Sequence, residues 1–267
     1  GADRRARWRR RHTLDARSLR VLEYDAIRHL LAEQAASALG QELALALEPT
    51  PDAVVVEQLQ EETAQALHVL QVHRGIARGG SRAVRNPVAA AGKGAGREPG
   101  ELLDIADTAA AARRLRSFLQ GVDLEAPLLA EAGAQLGSFR PLEEEVRRCI
   151  DDRAEVRDQA SEALASARAR VRSLHQSVTT RLETMLRSAL YSRMIQEPIV
   201  NIRNDRFCVP VRSESKSEFR GIVLDASGSG ATVFMEPFAV VSLNNELREA
   251  RAAESEAVRR VLASLSV

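Results

Sequence analysis

The amino-acid sequence predicts a mainly α-helical protein, in which a helical core domain is followed by long antiparallel lever helices with a small β-rich insert at their tip. Aromatic residues make up 3% of the 267 residues, whereas 45% are apolar and 28% are charged. This composition is typical of long helices that pack along narrow apolar seams. Two segments, about 161–190 and 238–265, keep apolar residues at near-heptad spacing, and the only β-sequence lies between them.

The charge is unevenly distributed along the chain. Residues 1–20 contain eight arginines and two aspartates, which leaves 30 basic and 35 acidic residues in 21–267. We expect residues 1–18 to form a basic, disordered tail rather than a phosphate-binding segment. The acidic remainder does not attract a polyanion through its overall field, so contact with nucleic acid must come from local basic patches.

The sequence shows no membrane-targeting segment. No window approaches the roughly 18 consecutive apolar residues of a transmembrane helix, and the N-terminal residues lack the apolar centre of a secretory signal. We therefore expect a cytoplasmic protein with no membrane contact. Cys149 and Cys208 are far apart and belong to no metal-binding motif, which favours two reduced thiols.

The first part of the core domain reads as three helices. Apolar residues recur at helical spacing over 19–47, and Gly40 interrupts them, which predicts two short helices. Thr50 or Asp52 can cap a third helix over about 54–72. The predicted buried stripe of this helix is Leu59, Ala66, Leu67 and Leu70.

The second part begins with a loop over 75–100, which holds seven of the 15 glycines. A helix then precedes Gly121, which suits a C-cap, and a weaker helix lies near Leu128. Pro141 is a typical first-turn residue of the next helix. The predicted buried face of the helix before Gly121 is Leu102, Ile105, Ala106, Ala109, Ala112 and Phe118.

These elements predict a core domain over 19–155 and a lever beyond it. Residues 156–196 are the expected outgoing lever helix, 197–237 a clamp-like β insert, and 238–267 the returning lever helix. Each lever has an apolar stripe that it cannot bury alone, which favours an antiparallel pair. The returning helix has no Gly or Pro stop, so we expect it to be truncated.

The insert reads as two β-hairpins. The first places Asn204 and Asp205 between "IVNIR" and "RFCVPV", and Pro210 must then lie at an edge or a bulge. The second places "ASGSG" between "GIVLD" and "ATVFM". A phosphate-binding loop requires its glycines to open a helix, and a Walker loop also requires a lysine. Here the glycines precede a strand without a lysine, so we interpret this run as a hairpin turn with positive-φ glycines and serine-to-backbone bonds.

No catalytic, cofactor or metal site is expected from the residues. The five histidines lie on separate segments, and the pair His68 and His73 has no nearby carboxylate at metal-ligand spacing. Asp151 and Asp152 are adjacent, but a charge-rich helix junction favours a solvated pair. No nucleophile lies at a recognisable spacing from a base.

The insert also holds the candidate nucleic-acid contacts. Five basic residues are the predicted phosphate ligands: Arg203, Arg206, Arg212, Lys216 and Arg220. Between Arg193 and Pro237, however, six positive residues accompany six negative ones, so the charge signal is weak. Three phenylalanines of the insert, Phe207, Phe219 and Phe234, suit either a core or a base-stacking surface.

Long segments of the chain resemble the second bacterial MutS family, which we call MutS-two. The resemblance runs from about Thr13 to the last residue. It rests on "TLDARSLRVLEYDAIRHLLAEQAASALG", "LLDIADTAAAARRLRSFL", "CIDDRAEVRDQAS", "QEPIVNIRNDRFCVPVRSE" and "GIVLDASGSGATVFMEPFAVVSLNNELRE".

The resemblance implies a helical core, a lever and a clamp-like tip, which in full-length members precede an ABC-type ATPase domain and an Smr nuclease domain. Neither catalytic domain is expected in this sequence, so ATP and Mg²⁺ would bind outside it. The family lacks the mismatch-reading domain of MutS. It is associated with suppression of homologous recombination through the binding and nicking of branched DNA. It is also associated with recognising collided ribosomes and splitting them with ATP.

Two hypotheses follow from the resemblance. In the first, this region recognises branched or double-stranded DNA or the ribosome, helps to form a homodimer, and transmits the state of an ATPase. In the second, it is a purely structural coiled-coil dimerisation module without nucleic-acid contact. A third possibility, enzymatic activity of this region alone, has no residue in the sequence to support it.

Overall fold

The computed structural model describes residues 16–73 and 79–266, so most of the predicted basic tail lies outside the described residues. The chain forms two compact units. Residues up to Glu155, together with Leu265 and Ser266, belong to the first, and Val156–Ser264 form the second. The described chain is mainly α-helical with one small antiparallel sheet, which confirms the predicted class. The predicted segment boundaries stay predictions.

The first unit contains eight described helices. They are α1 (Ala16–Val21), α2 (Tyr24–Glu33), α3 (Ala38–Leu45), α4 (Ala53–Val72), α5 (Arg85–Ala91), α6 (Pro99–Gln120), α7 (Pro127–Ala134) and α8 (Arg140–Cys149).

Two of the predicted helix boundaries are wrong. Residues 19–47 fall in three helices rather than two, and Gly40 lies inside α3 rather than at a break. Its amide donates to the Oγ of Ser37, the N-cap of α3, at 3.1 Å, because a serine hydroxyl can satisfy a first-turn amide. The predicted loop over 75–100 contains α5, and its residues 75–78 lie outside the described ranges.

The predicted helix ends around α4 and α6 are confirmed. Asp52 caps α4, with its Oδ1 accepting from the amide of Val54 at 3.1 Å. Gly121 is the C-cap of α6. Proline stands in the first turn of both α7 and α8, where its missing N–H costs no helical hydrogen bond.

The predicted buried stripe of α4 is wrong. Leu59, Leu67 and Leu70 are 46%, 56% and 40% exposed, whereas Gln65 and Val69 are buried. Val69 packs with Val122 and Ala126 in a small apolar cluster. Gln65 is buried because its side-chain oxygen accepts from the amide of Leu128 at 3.0 Å, which satisfies a first-turn donor of α7.

Helix α6 packs against α8 through an ion pair in which the glutamate is buried and the arginine is partly exposed. Its residues Leu102, Ala106 and Ala109 are buried, which confirms half of the predicted face. The guanidinium of Arg113 donates twice to the carboxylate of Glu143, at 3.0 Å from Nε to Oε1 and 2.8 Å from Nη2 to Oε2. Hydrogen bonding from Arg113 holds the pKa of Glu143 below its usual value, against the opposing effect of burial.

The second unit contains two long helices and a four-stranded sheet. Its elements are α9 (Glu162–Leu186), β1 (Asn201–Arg203), β2 (Arg206–Arg212), β3 (Gly221–Ala226), β4 (Thr232–Pro237) and α10 (Phe238–Leu265), with short 3₁₀ turns at Asp158–Ala160 and Ser213–Ser215. Ser161 caps α9, and the helix ends at Leu186, four residues before its predicted end at Leu190.

Both predicted hairpins are confirmed. The strands are antiparallel in the order β1-β2-β4-β3. Asn204 and Asp205 have φ values of 50° and 60°, as a tight two-residue turn requires. In the second turn Gly230 has φ 71°, and the amide of Thr232 donates to the Oγ of Ser227 at 3.1 Å. Serine and glycine therefore have the turn roles expected of them.

Pro210 lies in the part of β2 that does not pair with β1. Strand β1 pairs only with residues 206–208, and the carbonyl of Pro210 accepts from the amide of Gln196 at 2.8 Å. A proline is tolerated there because no ladder amide is required of it.

The sheet shares one core with both long helices. Phe207, Val209, Val211, Val233 and Met235 of the strands pack with apolar residues of the helices, which are Leu174, Val178 and Leu182 of α9 and Val240, Leu247 and Ala250 of α10. The sheet is therefore fixed to these helices by apolar burial as well as by the chain connections.

The Arg113–Glu143 pair predicts a pH-dependent contribution to stability. Because the folded pKa of Glu143 is lowered, its carboxylate stabilises the fold above the unfolded pKa, and this contribution is lost as pH falls through the folded pKa. We expect Glu143→Gln to lower the free energy of unfolding at about pH 7 and to have a smaller effect at about pH 3, where part of this contribution is already lost. Urea denaturation followed by circular dichroism measures this difference.

The control for this prediction is Glu144→Gln. Glu144 pairs with Arg140 on the surface, where its side chain is 65% exposed. We expect this variant to differ little from the wild type at either pH. A destabilisation by Glu143→Gln that is the same at both pH values would contradict the assignment.

Candidate nucleic-acid interface

The predicted basic residues of the insert differ in what they contact. Arg206 lies against the sheet and is 21% exposed. Its Nη1 donates to Oε1 of Glu236 at 2.7 Å, and its Nη2 donates to the side-chain oxygen of Asn245. Glu236 is 1% exposed. Because a buried carboxylate needs a charged partner, the primary role of Arg206 is to neutralise Glu236.

A buried asparagine completes this network. The side-chain oxygen of Asn244 accepts from the amide of Phe207 at 3.1 Å, and its nitrogen donates to the carbonyl of Phe207 at 3.0 Å. The same nitrogen lies 2.8 Å from Oε1 of Glu236. Helix α10 is thereby hydrogen-bonded directly to the backbone of β2.

Asn244 bonds to β2 at the position where β4 can no longer pair with it. Val209 is opposite Met235, so continuing the antiparallel register places Pro237 opposite Phe207. Proline has no amide hydrogen to donate to the ladder. The carboxamide of Asn244 supplies both a donor and an acceptor to Phe207 in place of a strand. Sequence analysis missed this residue, although its position four residues after Val240, on the buried face of α10, was a usable signal.

Arg203 stabilises the outer surface of the sheet. Its guanidinium lies over the ring of Phe234 at 4.0 Å from the centroid, and its Nε is 3.4 Å from Oδ2 of Asp225. The side-chain nitrogen of Asn204 donates to the carbonyl of Leu224 at 3.3 Å, beside the irregularity in β3. The turn of the first hairpin therefore folds towards β3, and Arg203 covers Phe234.

The remaining three predicted residues surround the Ser213–Ser215 turn. Arg212 is exposed, and its Nε donates to the carbonyl of Ile195 at a long 3.4 Å. Lys216 and Arg220 are exposed, and neither side chain has a partner within the described part of the chain. Phe219, next to Arg220, is buried and lies edge-on to Tyr191, which holds this segment against the core.

Arg193 is a further basic residue near this turn that sequence analysis did not select. It is exposed, and the carbonyl of its neighbour Met194 accepts from the amide of Arg212 at 2.8 Å. The positive charges near the turn therefore come from two chain segments, which linear charge counting does not reveal.

The three phenylalanines of the insert are not free for base stacking. Phe207 and Phe219 are each 4% exposed. Phe234 is covered by Arg203. Any contact with nucleic acid by the insert would therefore involve phosphates rather than stacked bases.

Tertiary structure brings a carboxylate to the histidine pair. Nε2 of His73 is 3.0 Å and Nε2 of His68 3.8 Å from Oε2 of Glu125, so the expectation of no nearby carboxylate is wrong. Glu125 follows α6 and is distant in sequence, which explains the error. Nevertheless, among residues 16–73 and 79–266 no group of three potential ligands is placed to hold a metal ion.

Two further expectations concern thiols and membranes. Cys149 and Cys208 are both free and buried, and burial raises the pKa of the Cys208 thiol to about 11. Within the described ranges, no helix combines the length and the apolar character required to cross a membrane.

Comparison with known proteins identifies relatives over nearly the whole chain. No family model matches it. Endonuclease MutS2 of Symbiobacterium thermophilum is 42% identical over 253 residues, which cover 95% of this chain and 32% of that protein. The corresponding protein of Brevibacillus brevis is 42% identical over 251 residues, and that of Clostridioides difficile is 37% identical over 256. Over this region, the chain belongs to the MutS2 family.

This family is the one called MutS-two above. The chain spans about a third of the length of its MutS2 relatives, with 32% coverage of each of the three named here. Those relatives are named endonucleases, and the similarity extends across both units of the fold.

The Asn244 network predicts a large effect of a small substitution. Asn244→Ala leaves the amide and carbonyl of Phe207 without partners, and we expect a loss of about 3 kcal/mol in the free energy of unfolding. Hydrogen exchange at Phe207 should accelerate together with this loss. Urea denaturation and hydrogen-exchange mass spectrometry measure the two effects.

Asn245→Ala is the matched control. Asn245 is the next residue of α10, but its side chain is exposed and accepts a hydrogen bond from Arg206. We expect a change of less than about 1 kcal/mol. Equal effects of the two substitutions would show that the carboxamide of Asn244 does not stabilise β2.

Proposed function

We propose that this chain is the recognition and force-transmission region of a MutS2 protein, and that its second unit contacts branched or double-stranded DNA and the ribosome. In a full-length member of the family, these contacts would serve the suppression of homologous recombination and the ATP-driven splitting of collided ribosomes. The observation that carries the proposal is the pair of exposed, unpartnered cations at Lys216 and Arg220, next to a buried anchor at Phe219.

Free cations on a fixed segment suit binding to phosphates. A lysine or arginine without an intramolecular partner does not have to break an ion pair before it contacts a phosphate. Arg203 and Arg206 would each lose such contacts, because they interact with Asp225 and Glu236. We therefore assign the first contacts to Lys216 and Arg220, with Arg212 and Arg193 near them.

The two long helices suit transmission of movement. Arg168 of α9 pairs with Glu254 of α10 at 3.0 Å, and Arg170 approaches Glu246 at 3.9 Å. The later arginine of α9 therefore pairs with the earlier glutamate of α10, which is the order expected of two antiparallel helices. Because the sheet shares their core, a displacement of these helices would carry the sheet with them. We propose that they act as a lever.

The catalytic domains would lie elsewhere in a full-length member of the family. ATP and Mg²⁺ would bind an ATPase domain outside this sequence, in the cytoplasm, and two such chains would act as a homodimer. The relatives are named endonucleases. The proposed role of the present region is therefore to recognise the substrate and to couple that recognition to the ATPase.

Salt-dependent binding tests the recognition role. We expect the chain to bind a fluorescently labelled four-way DNA junction at low salt, as measured by anisotropy. Substituting both Lys216→Ala and Arg220→Ala should reduce the slope of log affinity against log salt by about 1.8, since each lost phosphate contact removes about 0.9. Co-sedimentation with ribosomes tests the second substrate with the same variants.

Arg259→Ala is the matched control for the loss of an arginine. Arg259 is exposed and lies near the far end of α10, where it pairs with Glu256. Its substitution should leave the slope unchanged. Absence of binding by the wild type to both DNA and ribosomes at low salt would overturn the recognition role and favour the purely structural dimerisation module.

A further inference from the structure

The connection between β2 and β3 carries charges that alternate in sign. Every second residue from Arg212 to Arg220 is charged, and the signs run positive, negative, positive, negative, positive. The two negative residues, Glu214 and Glu218, are both exposed. Neither carboxylate forms an ion pair or a hydrogen bond with any residue of 16–73 or 79–266. The proposed phosphate contacts therefore alternate with two carboxylates that the fold leaves unneutralised.

Backbone hydrogen bonds hold this connection in place. In its centre, the carbonyl of Ser215 accepts from the amides of Glu218 and Phe219 at 3.1 and 3.0 Å. The buried ring of Phe219 anchors the same turn to the core. At the end of the connection, the carbonyl of Arg220 accepts from the amide of Phe238 at 3.1 Å. The order and the approximate positions of the charges are therefore fixed by the fold.

The unpaired charges of the insert sum to zero. Residues 193–237 contain six basic and six acidic residues. The ion pairs of Arg203 and Arg206 described above use two of each, which leaves four cations and four carboxylates. A surface that binds nucleic acid through phosphates alone is expected to carry an excess of positive charge, because a carboxylate close to a phosphate repels it. The insert has no such excess.

Alternating charges are complementary to a partner that carries both signs. Against the phosphates of a protein-free nucleic acid, Lys216 and Arg220 gain contacts, whereas Glu214 and Glu218 meet charges of their own sign. On a surface where basic protein side chains lie beside phosphates, each charge of the connection can face an opposite one. A ribonucleoprotein such as the ribosome offers such a surface, and protein-free DNA does not.

We propose that Glu214 and Glu218 are specificity-determining residues, which weaken binding to protein-free nucleic acid and contact basic protein side chains that lie next to RNA phosphates. The inference rests on the proposed function, since it concerns the contact surface assigned there. It adds a preference for the ribosome over branched DNA as the partner of that surface.

A double variant, Glu214→Gln with Glu218→Gln, tests the proposal against three probes at one salt concentration. The probes are a labelled four-way DNA junction, protein-free ribosomal RNA and purified ribosomes. Affinity for the DNA and the RNA should rise about threefold or more, because two carboxylates no longer repel phosphates. Affinity for ribosomes should fall about threefold or more, because basic protein side chains lose their partners. Anisotropy measures the first two affinities, and co-sedimentation measures the third.

Glu249→Gln is the matched control for the loss of an exposed carboxylate. Glu249 is exposed on α10, and its side chain has no partner among the residues that the structure describes. It lies about 16 Å along the helix axis from Phe238, the residue whose amide bonds to Arg220. This variant should leave all three affinities unchanged. Circular dichroism compares the folding of both variants with that of the wild type.

An affinity for ribosomes that rises or stays unchanged in the double variant overturns the proposal, since the carboxylates would then have no partner there. Affinity for the protein-free probes that fails to rise also overturns it. Both outcomes leave the recognition role intact, because the wild type still binds. Absence of wild-type binding to every probe is the separate result that overturns the proposed function itself.

Discussion

The second unit depends on the hydrogen bonds between the carboxamide of Asn244 and the backbone of Phe207. Strand β4 ends in Pro237 and α10 begins at the next residue, so the chain turns from sheet to helix where the ladder still requires a partner. Asn244 reaches back from the second turn of α10 and supplies that partner. Its nitrogen also approaches the buried carboxylate of Glu236, which Arg206 neutralises. Removing any member of this network would leave another buried polar group unsatisfied.

This constraint separates structural cations from available ones. Arg206 belongs to the buried network, and Arg203 closes the first hairpin over Phe234, so both have an intramolecular role. Lys216 and Arg220 lie on the connection between β2 and β3, which carries no comparable network. A connection anchored at Phe219 can present charge without weakening the sheet. The proposed interface is therefore a consequence of how the sheet is closed.

The first unit shows the opposite situation, in which an apolar face has no internal partner. The periodicity of α4 correctly indicates an amphipathic helix, but periodicity does not specify which neighbour covers the apolar face. Here the face that packs internally contains Gln65, because the amide of Leu128, in the first turn of α7, needs a hydrogen-bond acceptor. Leu59, Leu67 and Leu70 therefore remain exposed.

The sequence by itself determined the local structure: the cap at Asp52, the two hairpin turns, and the mainly helical class. These features depend on residues within a few positions of each other, where backbone sterics and short side-chain bonds act. Only the tertiary structure decided which charges are free, which face of α4 is buried, and that Glu125 meets His73. Those outcomes depend on contacts between residues remote in sequence, and residue spacing along one segment carries no information about them.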